Sequence, residues 1–231
     1  MGEDSSNGPG RRRYRRAATR GAALSAPKAR VARRCPEVAR QEILDAAAQI
    51  LQRRSFRELT IPTLMSHTKI GRSAFYVYFK DVYEVVEALL AGLRQQILAY
   101  FGAWKLAGRA PVGALQGVVA DAVNIWVVNG SMLAAMLDAA ADDARIEAIA
   151  ADITEAFRRA VADALAAEHA AGRIDLIDFD ETAALLVLAT QAYLKARLGR
   201  AGQGDPQLAT ATLQALWIRS IYGLLPPGLT N

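Results

Sequence analysis

Cysteine is almost missing from this chain of 231 residues. Cys35 stands alone, which excludes a disulfide framework and any zinc or iron–sulfur site built on cysteines. Histidine is nearly as scarce. His67 and His169 do not make a His-rich metal site, nor do they favour a His-dependent hydrolase. No run of about 18 or more apolar residues is free of a charge or a strong breaker, so no membrane span is expected. Sustained strand alternation and repeats of solenoid period are also absent. What remains is a chain rich in alanine, leucine and arginine, long enough to bury a full core.

Acidic residues are few at one end. Residues 1–34 hold ten basic side chains against Glu3 and Asp4, a net charge of +8. Residues 35–83 carry +2 and residues 84–231 carry −5, which together give the overall +5. The first segment has almost no large apolar residues and reads as a disordered basic arm. No apolar stretch follows its arginines as a secretory signal requires, so a cytoplasmic protein is expected. A basic end on a mildly acidic body points to a polyanionic partner.

From Pro36 onward the apolar spacing is helical, as with Ile43, Leu44, Ala47, Ile50 and Leu51. This first helix is expected to close at Ser55-Phe56. Thr60 suits the N-cap of a short helix to about His67, and a second short helix follows over Arg72 to about Phe79. Asp81 can cap a long helix from Val82 to about Trp104. Further helices are expected near residues 112–128, 131–140, 143–171, 180–198 and 206–223, with Asn129-Gly130 and the 199–205 loop among the breaks. The expected fold is all-α, with about nine helices. It divides into a basic arm (1–34), a three-helix DNA-binding domain (35–83) and a larger helical domain (84–231).

Residues 60–79 read TIPTLMSHTKIGRSAFYVYF. A short helix, a tight turn and a second short helix with a cationic start form a helix-turn-helix, whose second helix enters the major groove. Its base-facing residues are expected to be Arg72, Ser73 and Tyr76, with Arg72 suited to bidentate pairing with guanine. Ala74 can touch a thymine methyl. Tyr78 and Lys80 are placed to hold phosphates, and Thr60 to offer a helix N-terminus to another. Phe75 and Phe79, four apart, share a face suited to the core.

On Thr60, Leu64, Ile70, Arg72, Phe75, Tyr76, Tyr78 and Phe79 the segment resembles the DNA-binding domain of the tetracycline-repressor (TetR) family. Lys69, Gly71, Ala74 and Val82 stand where that family usually has glycine, serine, a polar residue and lysine. The resemblance implies a homodimer that binds a palindromic operator in double-stranded DNA. It also implies release by a small apolar ligand.

A weaker resemblance at Trp217-Ile218-Arg219-Ser220-Ile221-Tyr222-Gly223 is to the ethionamide-resistance-type repressors. It implies that the homodimer joins through the last two helices. It also implies a ligand pocket at Ile125, Phe157, Val161 and Trp217, with Val187 and Thr190 where that group has paired asparagines. Asn124 and Gln191 are other polar groups on the same helices. No catalytic residue, metal or cofactor is expected. Two alternatives remain: a non-specific architectural DNA binder using the arm, and a helical enzyme using Asp121, Asp142 and Asp143. The second lacks the Glu-x-x-His pairs of di-iron bundles.

Overall fold

Pro36 opens helix α1 (Pro36–Leu51), where its missing N–H leaves no helical hydrogen bond unmade. The structure, a computed structural model, describes residues 36–108, 110–175, 178–200 and 202–223. The basic arm, Cys35 and the Pro226-Pro227-Gly228 terminus lie outside the described residues. Helix α1 ends at Leu51, earlier than the expected Ser55-Phe56. The Arg53 and Arg54 amides both turn back to the Ile50 carbonyl, at 3.0 and 2.9 Å. A 3-10 turn, Phe56–Glu58, then carries the buried Phe56 ring to within 5.4 Å of Tyr83.

Thr60 caps helix α2 (Ile61–Ser66), its side chain accepting from the Thr63 amide at 3.3 Å. Helix α3 (Arg72–Tyr78) starts from Gly71, which supplies no side-chain cap. Asp81 caps helix α4 (Val82–Lys105) through the Glu84 amide at 3.0 Å. The body adds α5 (Pro111–Ala139), α6 (Ala144–Ala170), α7 (Phe179–Leu198) and α8 (Pro206–Tyr222). Asp143, Asp178 and Asp205 cap the last three in the same way. The architecture is all-α, with no strand among the described residues.

Among those residues there are eight α-helices and one 3-10 turn, because the break expected at Asn129-Gly130 does not occur. Helix α5 runs through it. The Asn129 side-chain amide donates back to the Ile125 carbonyl at 3.1 Å, satisfying the side chain within the helix. Gly130 is buried against the end of α7, where a Cβ would stand 2.0 Å from the Leu198 carbonyl oxygen. The glycine permits close helix contact rather than a chain reversal.

Two apolar clusters result. The head cluster gathers Ile43, Leu51, Leu64, Phe75 and Phe79, and also takes in Met132 and Met136 of α5 and Ile146 of α6. The body cluster is built from α4 to α8 around Trp104, Leu115, Leu165, Leu194 and Trp217. Helix α4 serves both, with Val85, Val86 and Leu90 in the first and Phe101 and Trp104 in the second. The expected cut after residue 83 therefore falls at the start of a shared helix. By length and composition α5 is apolar enough to cross a bilayer. In this fold part of its apolar surface is buried, as α5 packs on α4, α6, α7 and α8 and sends Met132 and Met136 into the head cluster, while Val127 and Val128 are exposed.

One buried charge ties the far end of the body together. Glu168, 1% exposed, accepts from Arg173 Nε and Nη2 at 2.8 and 2.7 Å and from the Tyr222 hydroxyl at 2.9 Å. Trp104 Nε1 donates to the same tyrosine oxygen at 3.1 Å. Burial pushes the Glu168 carboxyl up, but the Arg173 and Tyr222 hydrogen bonds outweigh it and leave the group below its ordinary value. The ends of α4, α6 and α8 are thereby joined.

Candidate nucleic-acid interface and internal cavity

Helix α3 is held from behind by its aromatic residues. Phe75 and Phe79 are buried, their ring centroids 6.0 Å apart, and the Arg40 guanidinium sits 5.0 Å from the Phe79 centroid. This anchoring fixes which side of a seven-residue helix faces solvent. Arg72, Ser73 and Tyr76 are all exposed and, three and four residues apart, lie on one face. Tyr76 is 59% exposed, its ring edge-on to Phe75 at 5.4 Å. Thr60 and Lys80 are exposed nearby in sequence, and Ala74 is half-buried.

Tyr78, expected to hold a phosphate, lies two residues on from Tyr76 and on a different side of α3. It is half-buried and packs on the head cluster, because the spacing that exposes Tyr76 turns Tyr78 inward. Val77, which is not among the expected contacts, is 75% exposed instead. It stands one turn after Ser73 and presents an apolar surface of the kind that meets thymine methyls. Nothing in the residue type signals this; only the register set by Phe75 and Phe79 does.

The head is clamped to the body by a compact polar cluster. Arg145, in the first turn of α6, donates to Asp81 Oδ2 at 2.8 Å, and its guanidinium lies 3.9 Å from the Tyr83 ring centroid. The Tyr83 hydroxyl donates to Asp143 Oδ2 at 2.7 Å. That bond holds the Asp143 carboxyl below its ordinary value and raises the tyrosine. Burial raises the Asp81 carboxyl, but hydrogen bonds from Arg145 and the Glu84 amide, with the Arg145 charge, bring it below the ordinary value overall. Arg57 reaches Asp142 at 2.7 Å beside this cluster. Asp142 and Asp143 thus serve as structural partners.

Between α4, α5, α6, α7 and α8 lies an apolar cavity of about 130 Å³. This is comparable with the engineered cavity of about 150 Å³ that admits benzene. Ile125, Phe157, Val187, Thr190, Gln191 and Trp217 line it. Asn124 and Val161 do not. Asn124 is exposed on the outer side of α5, one position from Ile125, and Val161 is fully buried in the body cluster.

The Thr190 hydroxyl accepts from Trp217 Nε1 at 2.9 Å, and the Trp217 ring stacks on Phe101 at 6.2 Å. The pocket expected from the sequence includes no residue of α4, yet Leu90, Leu93, Arg94, Ile97 and Phe101 form one wall. The apolar period of α4 marks a buried face without distinguishing a cavity wall from solid core.

These features define a helix-turn-helix protein whose reading head and hollow helical body share one helix. Comparison with known proteins places it further. Residues 43–89 match the family described as bacterial regulatory proteins, tetR family. The match covers the helix-turn-helix head, and over these residues the chain is similar to members of that family. It is 25% identical over 189 residues to the HTH-type transcriptional regulator EthR of Mycolicibacterium smegmatis, covering 80% of this chain and 87% of the relative.

Among solved structures, Salmonella enterica GusR superposes with a TM-score of 0.67 at 17% identity, covering 80% of this chain and 96% of GusR. The complex of SmeT with triclosan gives 0.69 at 18%, covering 84% and 95%. SmeT is the repressor of the Stenotrophomonas maltophilia multidrug efflux pump SmeDEF. At these identities the two structures support the shared fold.

Proposed function

We propose that this chain is a cytoplasmic, homodimeric repressor that binds a palindromic operator through α3 and releases it when a small apolar effector enters the body cavity. The observation that carries this reading is the double role of α4. Leu90 packs in the head cluster and also lines the cavity, and Leu93, Ile97 and Phe101 continue the wall down the same helix. An occupant that needs more room than about 130 Å³ must displace α4 or its neighbours, and α4 carries the head with it. The Asp81–Arg145–Tyr83–Asp143 cluster is the hinge about which that displacement acts. A ligand shifts operator affinity only by its differential affinity for the two states, so DNA and effector oppose each other reciprocally.

Arg72, Ser73 and Tyr76 carry base recognition, joined by Val77, while Thr60 and Lys80 hold the backbone and Ala74 sits close behind. Dimerisation through α7 and α8 is supported by apolar surface on their outer sides. Leu185 and Leu188 of α7 are 69% and 54% exposed, and Leu208 and Leu216 of α8 are 63% and 41% exposed. Leu185 and Leu188, three residues apart, share one face of α7, and exposed apolar side chains gathered on a face mark an interaction surface. The binding of triclosan by SmeT supports a small-molecule effector here.

The test is selection of binding sites from random-sequence DNA by the full chain. An inverted repeat, with half-sites about 34–36 Å or a multiple of that apart, is expected. Selected sequences without a common motif, or an identical motif selected by Arg72→Ala and Tyr76→Ala, would overturn the reading.

A further inference from the structure

The cavity lining is apolar apart from Thr190, Gln191 and one charged residue, Arg94. Among the described residues no carboxylate lines it. Arg94 Nε is buried and has no hydrogen-bond partner, and it is the side-chain nitrogen or oxygen in that condition among the described residues. A buried unpaired donor is costly to leave unmade, and guanidinium cannot escape the cost by losing its proton. The other end of the same group reaches outward, Nη1 to Asp152 Oδ2 at 3.2 Å. That carboxylate is 74% exposed, so solvent screens the pair. The Thr190 hydroxyl, by contrast, is already held by Trp217.

We infer, building on the effector cavity proposed above, that the effector is an anion: a carboxylate on a compact apolar body, recognised by Arg94. A neutral carbonyl satisfies the Nε donor alone, while the charge of the Arg94 side chain, 36% exposed, keeps only its solvent-screened pair with Asp152. A carboxylate answers both, and its two oxygens match the planar fork of the guanidinium. A cavity of about 130 Å³ suits a body near the size of a benzene ring, and larger bodies require the walls to move. Arg94 belongs to α4 and Asp152 to α6, so the effector competes with the ion pair that links these helices. Occupation thus loosens α4 from α6 on the side away from the hinge, which couples anion recognition to operator release.

Calorimetric titration of the full chain with benzoate, hexanoate, benzamide and toluene tests this. Benzoate and hexanoate are expected to bind the wild type at least about 10-fold more tightly than benzamide, with toluene binding weakly. Arg94→Met is expected to weaken benzoate about 10- to 100-fold, the range for a lost charge-assisted hydrogen bond, and to leave toluene within about twofold. Retained toluene binding then reports an intact cavity. Asp152→Asn removes the competing carboxylate and is expected to tighten benzoate by a factor of about three or more.

Benzamide binding as tightly as benzoate, or benzoate affinity unchanged in Arg94→Met, would overturn the anionic assignment while leaving an apolar effector cavity in place. Absence of binding by all four compounds would overturn the cavity reading itself, and this inference with it.

Discussion

Adding a single methyl group at position 130 probes how closely the body is packed. The Cβ of a Gly130→Ala variant would lie 2.0 Å from the Leu198 carbonyl oxygen and 3.0 Å from its carbon, both backbone atoms at the end of α7. An ordinary contact there needs at least 3.4 Å, so α5 and α7 must separate by more than an ångström or the end of α7 must unwind. Overpacking of this kind costs about 1–3 kcal/mol, and a backbone obstacle places the case at the upper end. Higher helix propensity returns about 1 kcal/mol, leaving a net loss of about 2 kcal/mol.

For a chain of this length about 2 kcal/mol corresponds to a Tm lower by about 4–8 °C. Gly113 and Gly117 lie in the same helix, and a methyl group at either would have nothing within 4 Å. Alanine at either is expected to raise stability by about 0.5–1 kcal/mol. Differential scanning calorimetry at one fixed protein concentration compares the three variants. A Gly130→Ala protein as stable as Gly117→Ala would refute the close α5–α7 contact.

Other perturbations address the remaining parts of the molecule. Arg173→Met leaves the buried Glu168 with only the Tyr222 donor and is expected to destabilise by about 3 kcal/mol, read from urea unfolding. Glu155 is held at about 2 by hydrogen bonds from Arg158 and then Arg159, against 4.5 when unperturbed. Its contribution is therefore complete above the unfolded value and is lost as pH falls from about 4.5 towards 2. Glu155→Gln should flatten the acid fall in Tm over that window. Leu185→Asp puts a charge on the exposed apolar side of α7 and should convert the proposed dimer to monomer in light scattering, with operator affinity falling in step.

Helix order and caps were legible because they rest on local chemistry. Thr60 and Asp81 each accept from an amide in the first turn they precede, and Pro36 and Pro206 stand where a helix begins, whereas the Asp143, Asp178 and Asp205 caps emerged only in the structure. Gly130 is ambiguous in sequence because the same residue type ends a helix or admits a neighbouring one, and only the position of Leu198 distinguishes the two. On α3 the burial of Phe75 and Phe79 followed from their four-residue spacing, whereas the half-burial of Tyr78 depends on how the head packs on α4. The α4 wall of the cavity was the least legible feature. Arg94 looks like any cation on an amphipathic helix, and only the folded structure shows that it lines the cavity with its Nε buried.

Operator sequence is read, in the mechanism proposed above, by the exposed face of α3. Fluorescence anisotropy with the selected operator and with a scrambled duplex, at one salt concentration, tests it through the ratio of the two affinities. Arg72→Ala is expected to lower that ratio about 10- to 100-fold, as loss of a bidentate base contact does, with little change on the scrambled duplex beyond one lost cation. A ratio equal to that of the wild type would contradict the account.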